Sequence, residues 1–178
     1  VRTEFIEQAS VTNVPLRILL VLVMLAIIGL VLWGMRRGWK GRQSRQSDIP
    51  APAVSGPDDA DYPVRVSGQF VGSARSGDWL DRIAVHDLGV RSRCWACVGQ
   101  SGVWFDRVGA QSVFIPAQSM RNVRIDRGIA GIVREREAFV VVTWQLGGTQ
   151  IDTGFRADDR EDQVELLDGC MAVLAANA

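Results

Sequence analysis

The side chains in this sequence that could support chemistry are few. Cys94 and Cys97 stand three residues apart, and the single histidine, His86, lies between Asp81 and Asp87. A C-x-x-C pair exchanges disulfides when its first cysteine opens a helix, where the dipole stabilises the thiolate. Here the pair falls inside a strand-like run, 91–98, so residues three apart point to opposite faces and both thiols read as ordinary strand residues. One histidine and three cysteines without zinc-site spacing do not make a four-ligand set, so no metal is expected. His86 has no G-x-S-x-G elbow to serve and reads as a turn histidine. Neither G-x-G-x-x-G nor a Walker A sequence occurs, so no nucleotide cofactor is expected. No catalytic residue is assigned, and the chain is expected not to be an enzyme.

The charged residues say more. Arg121, Arg124, Arg127, Arg134 and Arg136 gather around the stretch 128–133. Such a face suits lipid phosphates or an acidic protein partner, although Asp126, Glu135 and Glu137 dilute it. A second group, Arg36, Arg37, Lys40, Arg42 and Arg45, contains no acid and is the candidate membrane-surface contact. Over 64–178, thirteen Arg stand against fourteen Asp and Glu. The folded part therefore lacks the strongly basic balance of a nucleic-acid binder.

The second basic group follows residues 18–35, which carry no charge and no proline. At ~1.5 Å per residue this run spans roughly 27 Å, near the ~30 Å hydrocarbon core of a bilayer. It shows no polar face, and Arg36-Arg37 follows it in place of a cleavage site, so it reads as one transmembrane helix. The basic excess on its C-terminal side predicts an external N-terminus and a cytoplasmic C-terminal domain at the plasma membrane. Residues 1–17 form a short external tail. Residues 36–63 are a basic juxtamembrane segment leading into a linker, 41–63, which holds four of the six prolines and is expected to be semi-extended and not helical.

From residue 64 the pattern turns to short alternating runs separated by glycine, which predicts strands over 66–71, 91–98, 103–108, 112–115, 122–126, 139–146 and 149–156. Gly147-Gly148 is a two-residue hairpin loop suited to a type I′ turn. Pairing outward from it sets Leu146 opposite Thr149, Trp144 opposite Ile151, Val142 opposite Thr153 and Val140 opposite Phe155. Those inner positions form the core face, while Gln150, Asp152 and Arg156 point outward. The chain closes with a helix over about 158–176. Acids crowd its first turn, and Val164, Leu167, Met171 and Leu174 make the expected buried stripe. The fold expected is one transmembrane helix followed by a mainly β barrel or sandwich of about seven strands, closed by a C-terminal α-helix.

That order is pleckstrin-homology-like (PH-like). Residues Gly77-Asp78-Trp79-Leu80-Asp81-Arg82-Ile83 with Val85-His86-Asp87-Leu88-Gly89 resemble one signature of an actinobacterial family of single-pass membrane proteins with a PH-like domain. Val142-Thr143-Trp144 and Asp152-Thr153-Gly154-Phe155-Arg156-Ala157-Asp158 resemble its second. Proteins of this kind are sometimes labelled transporters or export proteins, and the resemblance carries over no catalytic residue. It does not imply phosphoinositide binding, because the first strand pair lacks the usual Lys/Arg pattern and sets Arg75 and Arg82 beside Asp78 and Asp81. The function expected is a membrane-anchored, non-enzymatic PH-like binding or scaffold module facing the cytoplasm. Its partners would be the lipid bilayer and a protein, with no nucleic acid. The alternative is an accessory subunit of a membrane transporter or export complex.

Overall fold

A computed structural model describes residues 14–46, 48–56, 61–134 and 138–177, with 39–45 as backbone only. Most of the external tail expected over 1–17 therefore lies outside the described residues. Helix α1 (Val14–Arg45) contains a 25-residue candidate span, Val14–Gly38, whose most apolar 18-residue window has mean hydropathy 2.9 and is unburied. It is long and apolar enough to cross a membrane. Large apolar side chains are exposed on all its sides, Leu20, Met24, Leu30 and Met35 among them.

α1 overruns the expected span at both ends. Pro15 sits in its first turn, where the missing N–H costs nothing. The linker expected over 41–63 thus begins as helix, because 41–45 contain no proline and an existing helix extends cheaply.

The chain divides into two units, Val1–Arg42 and Gln43–Ala178. Within the second, several of the described residues in the rest of the expected linker are docked. Gln46 is buried; its Oε1 accepts the Ala84 N–H at 2.7 Å and its Nε2 donates to the Arg82 carbonyl at 3.1 Å. Ile49 is 1% exposed and belongs to the core. Ala53 bridges to Phe114, and Trp104 Nε1 donates to the Val54 carbonyl at 3.1 Å. The buried isoleucine contributes roughly 1.5–3 kcal/mol toward holding the segment, alongside the Gln46 and Trp104 hydrogen bonds.

The sheet is built from β1 (Val64–Arg75), β2 (Asp78–Arg82), β3 (Ser92–Gly99), β4 (Gly102–Arg107), β5 (Val113–Pro116), β6 (Met120–Asp126), β9 (Phe139–Leu146) and β10 (Thr149–Ala157). Between β6 and β9 lies a two-stranded ribbon, β7 (Gly128–Ile129) and β8 (Ile132–Val133). The order is β5-β4-β3-β1-β10-β9-β6, with β2 on β1. All seven expected strands are present, and β2, β7 and β8 are short additions. β1 joins the two halves: residues 64–70 pair with β3 and 68–75 with β10, the register shifting between Phe70 and Gly72.

The β9–β10 register is the expected one, from Leu146 opposite Thr149 to Val140 opposite Phe155. The turn differs. Only Gly147 has a positive φ (58°), which is the II′ pattern with glycine first, not I′. The outward face also differs, because part of it is covered. Val71, Ala74, Ile129, Ala130, Phe139 and Val141 form a second apolar cluster under the β7–β8 ribbon. Asp152, expected in solvent, is 4% exposed. Gly154 lets this layer close, since a Cβ there would stand 2.6 Å from Ile129 Cγ2.

α2 (Arg160–Ala176) packs on β1, β3, β6 and β9, and Asp159 caps it by accepting the Asp162 N–H at 3.1 Å. Its buried residues are Leu166, Cys170 and Val173, with Leu167 and Leu174 partly buried beside them. Val164 and Met171, expected inside, are exposed. Both stripes have helical spacing. The chosen one carries the compact Cys170 and brings Gly169 against β1, where a Cβ would meet Val64 Cγ2 at 3.3 Å.

Candidate functional site

The thiols are structural. Cys94, Cys97 and Cys170 are all buried and free. Burial pushes Cys94 and Cys170 up to about 12 and raises Cys97 as well. None is a ready nucleophile at neutral pH. His86 sits in a tight turn at φ 53°, followed by Asp87 at φ 55°, and its Nε2 lies 2.9 Å from the Ile49 carbonyl. Two consecutive non-glycine residues in this region are costly, and the surrounding contacts hold them there.

Two arginines, the buried Arg107 and the half-buried Arg82, supply much of that hold. Arg107 continues the inward alternation of Val103 and Phe105 along β4. Its guanidinium lies 4.1 Å over the Phe70 ring and donates to Ser92 Oγ and to the carbonyls of Asp87, Val90 and Gln111. Arg82 donates to the carbonyls of Gly89, Val71 and Ala130, tying the 83–89 turn to the bulge in β1 and to the ribbon. Burial lowers both pKa values, but an arginine at these positions remains a cation. The first family-like signature is therefore a structural staple. So is the second: Trp144 Nε1 donates to Thr153 Oγ1 at 2.9 Å, which in turn is 2.9 Å from Ser73 Oγ.

The arginines expected to form one partner surface separate into different roles. Arg124 donates to Asp152 Oδ2 at 2.7 Å, to Thr143 Oγ1 at 2.8 Å and to Asp126 Oδ2 at 3.3 Å. Its burial alone would lower its pKa, but the bonds and charges of Asp152 and Asp126 outweigh this and raise it. Arg121 folds back on the carbonyls of Gln118 and Met120. Arg127 and Arg134 face two open clefts on either side of the ribbon. Arg136, with Glu135 and Glu137, lies outside the described residues.

The first cleft, about 400 Å³, is lined by Trp79, Arg124, Arg127, Val133 and Arg134, with Asp126 and Asp152. The second, about 1010 Å³, runs between the ribbon and the start of α2 and adds Arg156, Arg160 and Val164. Sequence reasoning missed Arg156 and Arg160. For Arg160 the available signal was a cation in the first turn of a helix, where the dipole disfavours it. Among the described residues two acids also line this groove. Asp158 accepts from Arg93 at 2.7 Å and Ser67 at 2.8 Å, and Asp159 caps α2.

Of the expected membrane contacts, Arg36 and Arg37 are exposed on α1, Arg37 stacking 5.7 Å over Trp33. Lys40, Arg42 and Arg45 continue the same helix, with side chains outside the described set. Among the described residues no cluster of His, Cys, Asp and Glu is arranged to hold a metal ion.

No curated protein matches the sequence. A family model described as Bacterial PH domain-like does match, over residues 49–170. Those bounds begin at the buried Ile49 and end at the buried Cys170, so they follow the packed domain described above. On that match, the chain belongs to the bacterial PH domain-like family.

Proposed function

We propose that the chain is a single-pass membrane protein whose PH-like domain is a non-enzymatic binding module on the cytoplasmic side. The observation that carries this reading is α1. Its uncharged run, 18–35, is unburied and has no polar face, and lipid is the environment that covers such a surface without cost. Arg36, Arg37, Lys40, Arg42 and Arg45 favour retention of the following side in the cytoplasm and add roughly 1 kcal/mol each of attraction to anionic lipid. An anchor, not a cleaved signal, suits the bulky Trp33 and Met35 before this basic run. The non-enzymatic reading is supported by the engagement of the reactive side chains: three buried thiols and a histidine bonded to backbone.

Reporter fusions test the orientation. A reporter active only in the cytoplasm should work when fused after residue 178, and activity only of an externally active reporter there would reverse the assignment. Affinity purification from detergent extracts tests the module itself. Recovery of a soluble partner is expected, whereas a stable complex of membrane proteins held through α1 would make the chain an accessory subunit instead.

A further inference from the structure

Resting on the binding-module reading, we infer that the larger groove, between the β7–β8 ribbon and the start of α2, is a docking site for an acidic, extended segment of a protein partner. Four guanidinium groups rim it, those of Arg127, Arg134, Arg156 and Arg160, and two exposed aliphatic side chains, Val133 and Val164, lie among them. Among the described residues its two acids are engaged within the protein, Asp158 by Arg93 and Ser67 and Asp159 by the N–H of Asp162. The groove therefore offers cationic and apolar contacts side by side, the complement of carboxylates interspersed with aliphatic residues. Its open space, about 1010 Å³, leaves room for a short stretch of extended chain beside the arginines.

The test uses the full chain in nanodiscs of zwitterionic phosphatidylcholine and a short fluorescein-labelled peptide of Glu, Asp and Leu. Fluorescence anisotropy should show binding that weakens with added salt. Arg160→Glu should weaken it about tenfold while raising the melting temperature, a pairing that a purely structural role does not produce. Arg156→Glu should weaken it similarly, and Arg121→Glu, outside the groove, should leave it unchanged. Absence of binding, or equal affinity in the Arg156→Glu and Arg160→Glu variants with melting temperatures at least that of the parent, overturns the docking site. Displacement of the peptide by soluble glycerophosphoserine at equal or lower concentration also overturns it and assigns the groove to lipid headgroups. A co-purified partner whose binding survives both substitutions leaves the module reading intact and removes the groove from it.

Discussion

Asp152 and Arg124 form an ion pair at 2.7 Å in which the carboxylate is almost wholly buried and the guanidinium is one-third exposed. Thr143 donates to the second carboxylate oxygen at 2.7 Å, so the buried acid is fully engaged. Removing one member of a buried pair costs ~3–5 kcal/mol, and the exposure of Arg124 reduces this to about 2–3 kcal/mol here. Arg124→Ala should therefore lower stability by that amount in equilibrium urea unfolding of the full chain in mild detergent. A change below about 0.5 kcal/mol, the level of an ordinary surface substitution, would mean that the pair adds nothing to the fold.

The rotation of α2 gives a paired comparison. Leu166→Ala should cost ~2–5 kcal/mol, because the side chain is 1% exposed, whereas Met171→Ala should change stability by less than ~0.5 kcal/mol. The reverse ranking in thermal melts would place the other stripe against the sheet.

The difference between those stripes shows what the residues disclose and what they hide. The β9–β10 register was legible because a two-residue Gly-Gly loop leaves a single pairing. The α2 face was not, because 164/167/171/174 and 166/170/173 satisfy the same periodicity, and only the sheet's shape selects the stripe with the smaller residue. The second apolar cluster escaped because its members come from separate segments and β9 is apolar on both faces. Ile49 was hidden by the prolines around it. Arg82 and Arg107 read as surface charges, although Arg107 keeps the inward alternation of Val103 and Phe105. Of the candidate site, the arginines near the ribbon were visible by proximity in sequence. Arg156 and Arg160 join them only through the fold.

Thiol labelling checks the closed state of the cysteines. With Cys94 and Cys170 pushed up to about 12 by burial, a maleimide at neutral pH should label the folded domain only as fast as it opens. Prompt labelling of Cys94 in the native protein would contradict its place in the core.

Acid sensitivity should come partly from Asp158 and Asp126. Hydrogen bonds from Arg93 and Ser67 hold Asp158 below its ordinary value of 3.8. Burial would raise Asp126, but bonds from the Gly128 and Arg127 N–H groups and from Arg124 outweigh it and lower it. A carboxylate with a depressed folded pKa contributes its full stability above the ordinary value and loses it as pH falls through the folded one. The melting temperature should therefore drop as pH is taken below 3.8, and Asp158→Asn should flatten that drop. An unchanged slope in the variant would show that Asp158 is not coupled to folding.

Membrane anchoring by an uncleaved α1 is the claim on which the functional reading depends, and alkaline carbonate extraction of cell membranes with an intact-mass measurement tests it most directly. The account predicts that the chain stays in the pellet with α1 still attached. Release into the supernatant, or a mature protein lacking the residues through Gly38, would contradict it and identify α1 as a processed signal.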